Sequence, residues 1–346
     1  MNGNSEPKRA APKSRWKRLL QNLALSFATF FLCVATLEII LRLAGYGNLE
    51  IYEPDPKLYW KLKPNQDCFT KIDHKLVHIN SHGTRGADFA TEKPADTIRI
   101  LSLGDSRTFG WGLTEAETYS DRLQKLLQKN SGNAKRVEVI NAGVNAWSYS
   151  QMFVYFRDTG LAYKPDVVII GEANLWTQFS ENSSPGFVKK LMWRVRFKNF
   201  LRRFAIYHYI VEVKLEGVYE HMREKFIPVD PARDTLFKEE QQNDPDAVFH
   251  DAIEGVCRLA QSNGVKPVLL YMPWATELNV TNAPTSLRVK RAVHDQLDVP
   301  LVDMTIDLRP GGNALYLEAD PVHLDAQGNA MVAERLFETF TNGLTQ

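Results

Sequence analysis

A run of 19 residues without a single charge, Leu19 to Leu37, constrains this chain more than any other feature. Its centre reads Leu-Ala-Leu-Ser-Phe-Ala-Thr-Phe-Phe-Leu-Cys-Val-Ala-Thr-Leu from Leu23 to Leu37, and apolar character resumes past Glu38 as Ile39-Ile40-Leu41. A helix crossing a bilayer core needs ~20 such residues. Six cations, Lys8, Arg9, Lys13, Arg15, Lys17 and Arg18, precede the run against one acid, Glu6. The net charge of +1 therefore divides into a surplus of five cations at the N-terminus and −4 over the rest. A buried helix of a soluble core needs neither apolar residues on every face nor a flanking block of cations. A cleaved secretory signal wants a small-x-small site, and Leu43-Ala44-Gly45 has leucine where a small residue belongs. A lipoprotein site is disfavoured by Leu32 before Cys33. The expectation is an uncleaved signal anchor in the cytoplasmic membrane, with the basic tail inside and the chain from about Gly45 facing the periplasm or exterior. Glu38 and Arg42, four residues apart near its outer end, can pair on one face or simply snorkel to the interface.

The remainder has the makings of a folded domain. At 346 residues and 44% hydrophobic content a disordered or collagen-like chain is excluded. The near-zero net charge argues against a globally basic nucleic-acid binder, so no nucleic-acid partner is expected. Residues 44–95 are rich in Pro, Asp, Lys and Asn, with little periodicity, and read as an irregular extension packed on the domain. From 96 to 346 short apolar runs alternate with helix-like segments. The runs are Ile98–Leu103, Val137–Ile140, Asp166–Ile170, Pro267–Tyr271 and Pro300–Asp303; the helical segments are Glu117–Lys129, Ser148–Leu161, Ala247–Asn263, Ser286–Gln296 and Asp325–Phe340. Thr114-x-x-Glu117 and Ser148-x-x-Gln151 match the capping box. Such alternation predicts an α/β fold, a parallel sheet covered on both faces, with its site at the strand carboxyl ends.

Residues 180–246 are too long for one crossover and form an insertion. Within it Phe187 to Val211 carries seven cations and no acid, with Trp193, Phe197, Phe200, Phe204 and Tyr207 at three- and four-residue steps. This is an amphipathic basic helix, either a cap with its aromatic face on the core or a contact for anionic lipid or a polyanionic substrate. Cys68 and Cys257 can pair in an oxidising compartment, although Cys257 lies on the apolar stripe of a helix and suits a buried free thiol.

Candidate chemistry gathers at the strand ends. Leu103-Gly104-Asp105-Ser106 places a serine hydroxyl at the start of the next segment, as a nucleophile beside helix-start N–H groups, or as part of a phosphate-cradling turn, or as a mere cap. Gly143 allows its N–H to approach a ligand, or is a plain turn glycine. Asn174 offers an amide donor or is a loop asparagine. His323, three residues after Asp320 on a Pro-containing turn, is a candidate base with the aspartate as its orienter, or a structural histidine. A serine needs such a base, because its hydroxyl is a poor nucleophile at neutral pH. No metal-ligand spacing is visible and no cofactor is expected. No Asp-x-Asp or Walker-type loop follows the first strand, which disfavours phosphoryl transfer.

In this order, the motifs resemble the SGNH/GDSL hydrolase superfamily over roughly residues 96–340. Ser106 in Gly-Asp-Ser-x-Thr-x-Gly is similar to the nucleophile of the first block, Gly143 in Asn-Ala-Gly to the oxyanion glycine, Asn174 to the asparagine of the third block, and Asp320-x-x-His323 to the final pair. Membrane-anchored bacterial members resemble the chain further, through Glu38-x-x-x-Arg42 and through Asn80-Ser-His-Gly-Thr-Arg-Gly86. The resemblance implies a three-layer α/β/α, flavodoxin-like sheet and a Ser-His-Asp triad of Ser106, His323 and Asp320. The N–H groups of Ser106 and Gly143 and the Asn174 amide would then hold the oxyanion. It implies an esterase acting on acyl esters, O-acetyl groups of a glycan among them. An O-acyltransferase modifying a polysaccharide with a membrane acyltransferase as partner, or a non-catalytic scaffold relative, are the alternatives. Two positions depart from the family pattern: Glu172 and Leu175 stand where Gly and Asp are usual. Arg107 and Asn145 are possible substrate contacts.

Overall fold

The computed structural model describes residues 15–49, 52–70, 75–131, 135–174, 185–215 and 246–341. The first part of the basic tail, residues 175–179 with Leu175 among them, and the rest of the insertion (180–184 and 216–245) lie outside them. Helix α1, Arg15–Leu43, covers the whole apolar run. Its side chains are exposed except near the C-terminal end, where Leu41 is buried. Such a helix suits a bilayer core by length and composition.

The extension is more regular than its composition suggests. Strands β1 (Tyr52–Asp55) and β2 (Tyr59–Leu62) pair antiparallel, and so do β3 (Gln66–Phe69) and β4 (Leu76–Ile79). Each is four residues long, too short for an alternating pattern to stand out in sequence. Packing against the domain is as expected: Leu62, Cys68, Val77 and Ile79 are buried in its main core.

Five parallel strands form the domain's sheet: β5 (Thr97–Gly104), then one-turn helix α2 (Ser106–Phe109), α3 (Tyr119–Ser131), β6 (Arg136–Gly143), α4 (Tyr149–Asp158) and β7 (Val167–Ile170). After the insertion helices α5 (Pro185–Leu201) and α6 (Ala205–Tyr207) come α7 (Ala247–Ser262), β8 (Lys266–Tyr271), α8 (Thr285–Leu297), β9 (Leu301–Asp303), the short α9 (Thr305–Leu308) and α10 (Ala326–Thr339). The spatial order is β6-β5-β7-β8-β9. This is the doubly wound flavodoxin-like arrangement, whose order reverses between β5 and β7 and opens a crevice at their carboxyl ends.

Both faces of the sheet are covered, which is why its strands read as continuous apolar runs. Leu101, Leu103, Val168, Ile170 and Leu269 face a core shared with α4, α7 and α8. Their neighbours Ile100, Val167, Ile169, Val268 and Leu270 face α3 and α10 on the other side. The capping box of Ser148 forms, its backbone N–H donating to Gln151 Oε1 at 2.9 Å. That of Thr114 forms on a 3-10 turn, Glu115–Glu117, just ahead of α3. Cys68 and Cys257 are buried free thiols, so the pairing entertained for them does not occur.

The basic segment of the insertion is not one helix to Val211. Helix α5 stops at Leu201, and the chain restarts as α6 and a π-helical turn, His208–Lys214. The break is filled from α1. Glu38 accepts hydrogen bonds from the N–H groups of Ala205 and Ile206, both at 3.0 Å, and pairs with Arg42 at 2.7 Å. Arg42 in turn donates to the Arg203 carbonyl at 2.6 Å. Helix-start donors with no partner of their own are satisfied by the carboxylate, and a helix-end carbonyl by the guanidinium.

Candidate active site

At the end of β5 the chain turns sharply into α2. Asp105 caps the turn, its Oδ1 accepting the Arg107 N–H at 2.9 Å. Gly110, at φ 86°, ends the single turn and returns its N–H to the Ser106 carbonyl. Two glycines let α2 sit directly on the strand ends. A Cβ on Gly104 would lie 1.9 Å from Thr108 Oγ1, and one on Gly143 would lie 2.2 Å from the Phe109 nitrogen. Asn141 secures the packing by donating to the Thr108 carbonyl at 2.8 Å. Arg85, from the Asn80–Gly86 motif, is buried and donates to the carbonyls of Phe109 and Gly110, each at 2.7 Å, and of Leu113 at 2.5 Å. The motif thus holds the carbonyl end of the turn that begins at Ser106.

Ser106 faces a histidine 217 residues away. Its Oγ lies 2.7 Å from His323 Nε2, and His323 Nδ1 lies 2.6 Å from Asp320 Oδ2. Asp320 Oδ1 accepts the N–H groups of Val322 at 2.9 Å and His323 at 3.2 Å, which closes the turn. Burial raises the Asp320 carboxyl's pKa. The hydrogen bond and charge of His323, with those two N–H groups, outweigh it and leave the carboxyl below its ordinary value. The Trp111 ring sits 6.1 Å from the imidazole, centroid to centroid. Serine, imidazole and carboxylate therefore form an unbroken hydrogen-bonded line, the arrangement a serine nucleophile requires.

The donors around this line differ in part from those expected. Gly143 does not offer its N–H to the crevice: it donates to Asn141 Oδ1 at 3.0 Å, and the glycine's service is the close approach of α2. Past it, Val144 N–H binds the Gly104 carbonyl and Trp147 N–H the Val144 carbonyl. Among the described residues the fold makes no use of the N–H groups of Ser106, Asn145 and Ala146. Ala146 holds φ 62°, left-handed for a residue with a Cβ. Asn174 is tied to the same loop, its N–H donating to the Trp147 carbonyl at 2.8 Å. The Asn145 amide is turned to the extension, donating to Tyr52 Oη at 2.7 Å.

Arg107 is turned inward rather than toward a substrate. It is buried, pairs with Asp105 at 2.8 Å, and donates to the carbonyl of Ala173 at 3.2 Å. Burial alone would lower its pKa, and the charges of Asp105 and Glu172 overcome this and keep it cationic. Glu172, the departure in the third block, lies beneath it with 1% of its side chain exposed, 3.9 Å from Arg107 and directly bonded to Lys290 Nζ. Ser286 Oγ donates to the same carboxylate at 2.6 Å and the Met272 N–H at 3.3 Å. Lys290 reaches the carbonyls of Gly171 at 3.0 Å and Leu270 at 2.6 Å. Two acids, Asp105 and Glu172, and two bases, Arg107 and Lys290, thus form one buried cluster beneath the Ser106 turn. Sequence reasoning missed Lys290 and marked Arg85 only as a member of the Asn80–Gly86 motif. For Lys290 a signal exists: it shares the buried stripe of α8 with Ser286, Val289 and Val293. A cavity of about 150 Å³ lies elsewhere, between Lys57 and Lys61 of the extension and Tyr155 and Asp158 of α4, and none of Ser106, Asp320 and His323 lines it.

No family model matches the chain, and no curated protein matches it. Solved structures are similar to part of the chain at low identity. One is a two-domain esterase (CEX) active on acetylated mannans, 16% identical, with a TM-score of 0.45 over 72% of this chain and 50% of that one. The chain spans about half the length of that esterase. TesA is 16% identical, with a TM-score of 0.43 over 70% of this chain and 98% of its own. A catalytic mutant of Axe2, an acetylxylan esterase from Geobacillus stearothermophilus, is 15% identical, with a TM-score of 0.43 over 70% and 93%.

Proposed function

We propose that this chain is a membrane-tethered serine esterase that cleaves acyl esters, with O-acetyl groups of an extracytoplasmic glycan as its substrate class. The observation that carries the reading is the line from Ser106 Oγ through His323 to Asp320, with contacts of 2.7 and 2.6 Å. His323 Nε2 takes the hydroxyl proton as Ser106 Oγ attacks the ester carbonyl. Asp320, ionised, holds the imidazole by its Nδ1–H and stabilises the imidazolium. The carbonyl oxygen, now an anion, is received by the Ser106 N–H, the Asn174 amide and, in place of Gly143, the Ala146 N–H on the left-handed turn. Collapse expels the alcohol, which takes the proton from His323 and leaves an acyl-serine. Water, deprotonated by His323, attacks that ester, and the carboxylic acid leaves with Ser106 restored.

Two features support the tether. An 18-residue window of α1 has a mean hydropathy of 2.2 and no buried residue. The outer end of α1 is also bonded into the domain through Glu38 and Arg42, a contact that a removable leader has no use for. With the cationic residues inside, the site faces away from the cytoplasm.

The test is hydrolysis of 4-nitrophenyl acetate by the full chain in detergent, beside Ser106→Ala. Loss of turnover with unchanged thermal unfolding is expected, together with covalent labelling of Ser106 by a fluorophosphonate. Unchanged hydrolysis in the variant sinks the mechanism, and a folded wild type that resists the label is a binding scaffold. Isotopically labelled acetyl recovered on sugar rather than in water would assign transfer to a glycan hydroxyl, which uses the same triad.

A further inference from the structure

The basic insertion helix has not been used by this chemistry, and its exposed face is unusual for a protein surface. Trp193, Phe197 and Phe200 on α5 are 64%, 49% and 53% exposed, and Phe204 just beyond it is 40% exposed. They recur at steps of four, three and four and so form one stripe. The rings are ordered against each other, Trp193 stacked on Phe197 at 5.4 Å and Phe200 edge-on to Phe204 at 5.3 Å. The opposite face holds the helix on the extension: Leu191 is buried with Tyr59, and Asn199 Oδ1 accepts the Tyr52 N–H at 3.3 Å. Exposed Lys189, Lys190 and Arg196 flank the aromatic stripe on its two sides, and no acid occurs from Phe187 to Val211. The aromatic face does not lie on the core, which removes the cap reading of this segment.

The position of this stripe is set by α1. Phe204 immediately precedes Ala205, whose N–H is held by Glu38, and the Arg203 carbonyl is held by Arg42. Glu38 is five residues before the end of α1, about 7.5 Å along the axis. Around it Ile39, Ile40 and Leu43 remain 57%, 56% and 85% exposed. The aromatic stripe is therefore joined by three hydrogen bonds to the level at which the apolar helix ends. Amphipathic aromatic rings favour that level of a bilayer, and cations beside them meet lipid headgroups.

We propose that α5 lies in the outer-leaflet interface with Trp193, Phe197, Phe200 and Phe204 among the upper acyl chains, and that Lys189, Lys190 and Arg196 take anionic lipid headgroups. This rests on the reading of α1 as a membrane span. It makes the contact with α6 a rigid bracket, which holds the domain against the membrane instead of letting it swing on a flexible stalk.

The test uses the full chain in vesicles of phosphatidylcholine, with and without phosphatidylglycerol, carrying bromine high on the acyl chains. Trp193→Phe isolates one of the seven tryptophans by difference. The expected result is that brominated lipid quenches most of the Trp193 difference signal, more strongly with phosphatidylglycerol present. Lys189→Glu/Lys190→Glu/Arg196→Glu should lose the dependence on phosphatidylglycerol while keeping its thermal unfolding. Resistance to alkaline extraction reports α1 separately. Extraction of the chain overturns the span and the proposal with it. An embedded chain whose Trp193 is not quenched overturns the proposal alone and gives the face to a protein partner. Equal quenching with and without phosphatidylglycerol overturns the choice of anionic lipid.

Discussion

Replacing Lys290 by methionine isolates the buried ion pair beneath the Ser106 turn. The Lys290 side chain is fully buried, and Glu172 is 1% exposed. Without the ammonium, the carboxylate keeps the Ser286 hydroxyl at 2.6 Å, the Met272 N–H at 3.3 Å and the Tyr149 hydroxyl at 3.4 Å, which are neutral donors. Its nearest remaining cation is Arg107, 3.9 Å away and already committed to Asp105. Removing one partner of a buried pair costs about 3–5 kcal/mol, because the remaining charge stays desolvated and unpaired. At roughly 2–4 °C per kcal/mol for a domain of this size, the apparent Tm of Lys290→Met should fall by roughly 6–20 °C. Adding Glu172→Gln removes the charge but keeps an acceptor for Ser286, so the double variant should recover most of the loss. Thermal unfolding of the full chain in detergent, followed by circular dichroism, measures both. A single variant within ~1 kcal/mol of wild type, or a double variant no better than the single, would show that Glu172 is not held as an anion, and the reasoning fails.

Three further outcomes follow from the site and core. Asp320 ionises below its ordinary value in the folded chain, so its contribution to stability is present above about pH 4 and disappears as pH falls through the lowered folded value. The difference in Tm between wild type and Asp320→Asn should therefore be flat above about pH 4 and shrink below it; a difference that grows on acidification contradicts the sign. Gly143→Ala forces a Cβ to within 2.2 Å of the Phe109 nitrogen, so α2 must shift, at ~1–3 kcal/mol of stability and a lower kcat toward 4-nitrophenyl acetate. A fully active variant refutes the close packing. Burial pushes the Cys257 thiol up to about 12, and Cys68 is buried as well, so a thiol reagent should modify at most Cys33 in the folded protein and all three after unfolding.

How much of this was legible depended on how local each signal is. The five apolar runs mark the five sheet strands to within a few residues, because strands buried on both faces cannot alternate with polar residues. The hairpins of the extension left no such trace: the strand Tyr52–Asp55 reads Tyr-Glu-Pro-Asp and packs by tertiary contact alone. The chemical types at the strand ends singled out Ser106, Asp320 and His323, and the fold brings the three into one hydrogen-bonded line. Gly143 was misjudged in its duty. A glycine's value lies in what approaches it, and α2 does so from another part of the chain. Arg107 read as a possible substrate contact and Lys290 drew no reading, because nothing nearby in sequence announces that Glu172, at the end of another strand, will lie beside both.

By itself the sequence determined what depends on neighbours along the chain. It settled the apolar helix with its basic flank, the strand-helix alternation, and a serine and a histidine turn of the right kind. The tertiary structure alone decided which of these meet. Ser106 and His323 are 217 residues apart, and covalent spacing at that range carries no information about distance. The two meet because a parallel sheet gathers the carboxyl ends of its strands along one edge. The same holds for Glu38 and Ala205, 167 residues apart, whose bond sets the domain against α1. A charged side chain is placed by the free energy of its final surroundings, and those surroundings exist only once the chain has folded.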